Sequence, residues 1–178
     1  MAHPYFTGET TITPSADWPD GTGFEIDDSS SHAGDDFAGW HAFRDPVADP
    51  NSGYAWLSDP WHSTIDEWVS ITYPEPVLLQ RYVLPARIGD NYHPRRWQMQ
   101  GSNDGGGTWT DIGSLQIPNP VWVGEQVTEI DVSFNTIKYA SYRVLCPYID
   151  EGQTLPGHRS IRYIQLFTAV PFPPPPPP

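Results

Sequence analysis

The chain has 178 residues, with 22 acidic and nine basic side chains giving a net charge of −13, and it carries 21 prolines, 15 glycines and eight tryptophans. That length suits one domain with its own hydrophobic core. The charge argues against nucleic-acid binding, which relies on Lys and Arg to release counterions from phosphates, and against anionic membranes, leaving neutral partners.

Residues 1–35 form a polar, turn-rich segment that is part of the main domain or packed on it. Its start, "MAHPYFTGETTI", lacks the basic residues and apolar stretch of a secretory signal, so synthesis in a cytoplasm is expected. Within it, "EIDDSSSHAGDD" reads as an exposed, solvated loop; it lacks the glycine and glutamate positions of a helix-loop-helix calcium site. No apolar run approaches the length of a membrane span, so no membrane insertion is expected.

From Trp40 onward, strand-like runs follow one another at short intervals, and no long stretch has helical period. "EWVSITY" places Val69, Ile71 and Tyr73 on one face, and "VLLQRYVLPAR" follows Pro74 and Pro76. "RRWQMQGSNDGGGTWTDIG", Arg95 to Gly113, holds two strand-like runs around a glycine cluster. Gly101, Gly106 and Thr108 have the spacing of a phosphate-binding loop, but Gly107 stands where that chemistry needs lysine, and Asp104 would repel a polyphosphate. The stretch therefore reads as a β-hairpin whose Asn-Asp-Gly turn supplies positive φ. "VTEIDVSF" and "ASYRVLC" are further strands. Cys146, the only cysteine, leaves no internal disulfide and reads as a small buried hydrophobe. In "RSIRYIQLF", apolar residues on both parities suggest a central strand covered on both sides. Many short strands with turns between them indicate an all-β sandwich over residues 36–168.

Residues 169–178 form a proline-rich tail. Pro173, Pro174, Pro175, Pro176, Pro177 and Pro178 are expected to form a stiff polyproline II rod of about 3.1 Å per residue. With Phe172, these residues read as an assembly anchor, held by a partner protein or by copies of the chain about a symmetry axis; the alternative is a linker or solvated tail.

The stretch from Ala42 to Phe167 resembles the discoidin, or coagulation-factor type C, domain family. "HAFRDP", "WVSITYPEPVLLQRYVLPAR", "RRWQMQGSNDGGGTWTDI", "YRVLCPY" and "IRYIQLF" follow the order of that family's signature segments. The resemblance implies a galactose-binding-like jelly roll of about eight antiparallel strands, in which the glycine-rich hairpin is structural and ligands bind in loops at one end. Three loops follow from it. In "DPWHSTIDE", Trp61 and His62 resemble a sugar-binding Trp-His pair. In "ARIGDNYHPRR", Arg87 and Asn91, with Tyr92 beside them, resemble an Arg and Asn that serve sugar hydroxyls. In "PYIDEGQTLPGHR", Tyr148 supplies an aromatic wall. The chemistry suits a pyranose, whose C–H face packs on aromatic rings while planar Arg and Asn groups meet its hydroxyls. The resemblance also implies a structural calcium, for which Asp45, Asp49 and Asn51 are the oxygen ligands at hand. Pro46 and Gln165 stand where the family often has glycine and a glutamate ligand, and the cysteine pair of many secreted members is missing. No other cofactor is expected.

The leading functional reading is a non-catalytic glycan-binding domain. The missing signal, the missing disulfide and the rod-like tail suit an oligomeric spike, fibre or decoration protein on the surface of a phage or phage-like virion, touching host polysaccharide. The tail would then contact other particle proteins. The alternative is a purely structural assembly protein, with Trp61, Tyr92 and Tyr148 contacting protein. An enzyme is not expected, since no Ser-His-Asp or Cys-His context appears and nothing singles out a catalytic carboxylate pair.

Overall fold

Alternation of side-chain environment organises the computed structural model, which describes residues 24–31, 38–43, 55–58, 66–85, 94, 96–117, 127–147 and 159–168. Ten strands follow in chain order: β1 (Glu25–Asp28), β2 (Trp56–Leu57), β3 (Glu67–Val77), β4 (Leu79–Pro85), β5 (Gln98–Ser102), β6 (Thr110–Asp111), β7 (Val127–Asp131), β8 (Tyr139–Cys146), β9 (Ser160–Ile161) and β10 (Gln165–Thr168). A 3-10 turn, Gly39–Phe43, lies between β1 and β2. Among the described residues no helix is long and apolar enough to cross a membrane.

Three antiparallel sheets result: a five-stranded sheet in the order β1-β3-β8-β5-β6, a three-stranded sheet β10-β4-β7 and a two-stranded sheet β2-β9. The two larger sheets send their buried faces into one cluster. Val69, Ile71, Tyr142, Val144, Trp97 and Met99 come from the first, and Leu79, Tyr82, Leu84 and Leu166 from the second. Each such side chain contributes about 1.5–3 kcal/mol by leaving water. The all-β sandwich expected from the strand spacing is the observed architecture, and the parity assigned to Val69, Ile71 and Tyr73 is the buried one.

Three large aromatic side chains of this core pair their polar atoms. Trp97 donates its indole N–H to the Tyr82 hydroxyl at 3.2 Å, bridging the two sheets. Trp56 donates its own to the Ser30 carbonyl at 3.0 Å. Tyr142 sits where the chain leaves one sheet for the other: its hydroxyl donates to the Val77 carbonyl at 2.7 Å and accepts from Leu79 N–H at 3.2 Å. Just before that corner, Pro74 and Pro76 cannot donate to a ladder, and the β3–β8 register shifts between Thr72 and Val77. Cys146 is buried as expected, and burial pushes its thiol pKa up to about 12.

Two expectations are corrected. Glu25–Asp28, read as the start of a solvated loop, is the edge strand β1, paired with β3 through Glu25↔Thr72 and Asp27↔Ser70. Glu25 and Asp27 are exposed while Ile26 packs on the core, so alternation was present beneath the acidic composition. The final run is not one central strand. It breaks between β9 and β10, where Ile164 N–H donates to the Ala42 carbonyl at 2.6 Å. The break resets the parity, so Ile161, Ile164 and Leu166 all reach the core, and β10 is an edge of its sheet.

The β5–β6 hairpin is present, with Gly105 and Gly106 at φ of 69° and 86°. At its base a β-carbon on Gly101 would lie 2.4 Å from the Tyr139 ring. Tyr139 is itself buried and packs edge-on against Tyr142, so it has nowhere to retreat. Gly101→Ala is therefore expected to destabilise the domain by about 1–3 kcal/mol through overpacking, read as a lowered chemical-denaturation midpoint with unchanged slope.

Candidate functional site

The residues singled out for ligand binding, Trp61, His62, Arg87, Asn91, Tyr92 and Tyr148, lie outside the described residues. So do Asp45, Asp49 and Asn51, and so do Phe172 and the prolines through Pro178. The flanks of the three loops are described. Glu67, at the start of β3, pairs with Cys146, at the end of β8. Ser58 and Arg159 bond each other twice at 2.8 Å, once through the backbone and once through the Ser58 hydroxyl. The segments 59–65 and 147–158 are therefore rooted side by side at both their ends. β5 begins next to them, with Gln98 opposite Leu145, so the segment 86–93 leads into the same end of the five-stranded sheet. Buried Glu67 fixes this end further, accepting hydrogen bonds from the Ser29 and Ser30 hydroxyls.

A second feature is fully described: a trough of about 310 Å³ on the solvent side of the five-stranded sheet. Register builds it. One row across the sheet is Glu25, Thr72, Ser141; the next is Asp27, Ser70, Arg143. Both rows start on a tall acidic side chain and have a short Ser or Thr at the centre; the second row ends on tall Arg143, the first on short Ser141. The floor is closed on itself, with Thr72 and Ser141 hydroxyls 2.8 Å apart and the Ser70 hydroxyl donating to the Asp27 carbonyl at 3.3 Å. Trp68, on the outward parity of β3, closes one end, and the hairpin tip at Gly105 and Gly106 carries Trp109 over the other side.

Arg143 links the walls. Its guanidinium carbon lies 4.3 Å from the Trp109 ring centroid and 5.8 Å from that of Trp68. Its Nε–H donates to Gln100 Oε1 at 2.7 Å, and Gln100 in turn donates to Asp111 Oδ1 at 2.6 Å. Burial pulls the Arg143 pKa down while the charges of Asp66 and Asp111 push it back up, so it stays cationic. One side of the trough thus presents carboxylates and the other a guanidinium, with both indoles near the guanidinium. Among the described residues no group of three or more His, Cys, Asp or Glu side chains could hold a metal ion. The sequence reading passed over this trough because its members come from separated strands. The available signal was Trp68, a large aromatic on the same parity as Ser70 and Thr72.

The architecture is that of galactose-binding-like β-sandwiches, and solved structures share it. The chain is similar to the F5/8 type C domain of a Bacteroides fragilis protein, with 15% identity and a TM-score of 0.60 over 80% of this chain and 89% of that one. It is similar to CBM32-3 from a family 31 glycoside hydrolase of Clostridium perfringens, with 16% identity and a TM-score of 0.62 over 83% and 92% of the two chains. It is also similar to the family 32 carbohydrate-binding module of C. perfringens NanJ, solved with galactose, at 13% identity and a TM-score of 0.57 over 80% and 92%. No model of a known protein family matches the sequence, and no curated protein matches it.

The hairpin that positions Trp109 is held by one carboxylate. Asp104 accepts from the Thr108 hydroxyl at 2.6 Å, from Thr108 N–H at 2.9 Å and from the Ser102 hydroxyl at 2.8 Å. Ser102 also accepts from Gly106 N–H at 3.0 Å. The Thr108 bonds, joined by that of Ser102, hold the Asp104 carboxyl down at about 2. A depressed folded-state pKa adds stability that is complete above the unfolded value of about 3.9 and fades as pH falls toward the folded value. The melting-temperature gap between wild type and Asp104→Ala is thus expected to be constant from neutrality to about pH 5 and to narrow below about pH 4, followed by circular dichroism.

Proposed function

We propose that this domain is a non-catalytic glycan-binding module whose primary site is formed by the loops carrying Trp61, His62, Arg87, Asn91, Tyr92 and Tyr148. The observation that carries the reading is the shared rooting of segments 59–65, 86–93 and 147–158 at one end of the five-stranded sheet. The described flanks of three segments far apart in sequence thereby meet at one end of that sheet, which supports a shared rim. The likeness to carbohydrate-binding modules, one of them solved with galactose, supports the same reading. His62→Ala and Arg87→Ala are each expected to weaken glycan binding at least about tenfold, the worth of one charge-assisted hydrogen bond. Binding is measured on a glycan array and then by calorimetry with the best hit, and the melting temperature should stay close to wild type. A matching fall in stability would instead make these residues scaffold.

The wider setting belongs to the same proposal: an oligomeric spike, fibre or decoration protein of a phage or phage-like particle, attached through Phe172 and Pro173–Pro178 and touching host surface polysaccharide. A protein contact also finds support in the exposed apolar side chains Ile117, Phe134 and Ile137, which are 59%, 64% and 52% accessible, far above a core residue. Deleting Pro173–Pro178 is expected to shift sedimentation of the chain from an oligomer to a monomer while the thermal transition is kept. An oligomer that survives the deletion removes the anchor role of the tail.

A further inference from the structure

We propose that the trough on the five-stranded sheet is a second saccharide site, taking a neutral pyranose of an oligosaccharide. It extends the glycan-binding reading from the loop end to the sheet face, and it stands on separate residues. The trough has a volume of about 310 Å³, within the range of pockets that hold small ligands. Its depth is built by sequence: Ser70, Thr72 and Ser141 are short, while Glu25 and Asp27 rise on the β1 side and Arg143 rises on β8 beside Ser70.

Charge selects the ligand class. Glu25 and Asp27 are exposed acceptors on the edge strand, and no described cation pairs with either. Arg143 is a donor on the opposite side; its Nε–H is committed to Gln100, and the remaining guanidinium N–H groups are the ones a ligand could use. An anionic ligand would meet the two carboxylates, and a cationic one would meet the guanidinium. A neutral polyol has hydroxyls that donate to the first wall and accept from the second, so it satisfies both. Trp68 and Trp109 add the flat apolar surface against which the C–H face of a sugar ring packs. The floor hydroxyls already have partners, Thr72 with Ser141 and Ser70 with the Asp27 carbonyl, so they cost little when a ligand strips their water.

The test is a two-dimensional NMR titration of the full chain with lactose, maltotriose and N,N′-diacetylchitobiose at millimolar concentrations, with trigalacturonate as the anionic probe. The indole N–H signals of Trp68 and Trp109 are assigned with Trp68→Phe and Trp109→Phe. At least one neutral probe is expected to move both signals, and trigalacturonate to move neither. Glu25→Ala/Asp27→Ala, at exposed edge positions, is expected to weaken that titration about tenfold by removing charge-assisted hydrogen bonds. Groove shifts that persist in His62→Ala/Arg87→Ala establish this site apart from the loop site. Neutral probes that bind and move neither groove signal overturn this proposal alone. Absence of binding anywhere overturns it together with the loop reading, and a response only to trigalacturonate assigns the trough to acidic ligands instead.

Discussion

The Tyr142 hydroxyl holds the corner on which the sandwich turns. It donates to Val77 at the end of β3 and accepts from Leu79 at the start of β4, so one side chain of the five-stranded sheet fixes the passage to the three-stranded sheet. Burial pushes its pKa up to about 12, so it remains a neutral donor throughout the physiological range. The clamp also fixes parity. With Tyr142 held inward, Arg143 must point outward, and so must Ser141; a slip of one residue would exchange the core face for the solvent face. The trough therefore depends on a hydrogen bond made on the opposite side of the sheet.

The outer face has its own structural demands, and they set what a ligand would meet. β1 is an edge strand, and charges on edges oppose pairing with other chains. Glu25 and Asp27 meet that demand by sitting anywhere solvent reaches. The edge rule does not require a row of short side chains beside them, nor a glycine tip that carries an indole over the next strand. Gly106 brings its backbone against Trp109, where an added β-carbon would lie 3.3 Å from the ring. The hairpin is thus shaped to keep Trp109 close to its own turn, over Arg143 rather than away in solvent.

Much of this was legible in sequence where a single segment carries the signal. The buried parity of "EWVSITY" and the turn at Asn103-Asp104-Gly105 needed only local pattern, and both stand in the structure. β1 was not legible because three of its four residues are acidic; its stability comes from pairing with β3, and local propensity gives no hint of a neighbour 40 or so positions away. The last run misled for a related reason. Apolar residues on both parities can mean two-sided burial or a mid-run bend, and only the bond from Ile164 to Ala42 decides for the bend. The loop residues were expected through resemblance alone, and they lie outside the described residues. The trough needed residues from β1, β3 and β8 with the hairpin tip, an arrangement that strand order alone creates.

Magnitude then constrains how such a domain would be used. Ligands gain from about 0.3 up to about 1.5 kcal/mol per heavy atom, so a monosaccharide of about 12 heavy atoms held at the lower figure gains about 4 kcal/mol, which is a millimolar dissociation constant. At either proposed site the lower figure applies, because polar donors and acceptors exchange water for sugar with small net gain. Useful affinity has to come from multiplication. Two sites on different surfaces could engage two units of one polysaccharide only if the chain can bend from one to the other; copies arrayed on a particle need no such bend. A stiff proline tail of the kind proposed would serve the second route, since it would limit the freedom lost when neighbouring domains bind the same polymer. On the proposed reading, weak neutral recognition and the proline tail would be parts of one design, each lending purpose to the other.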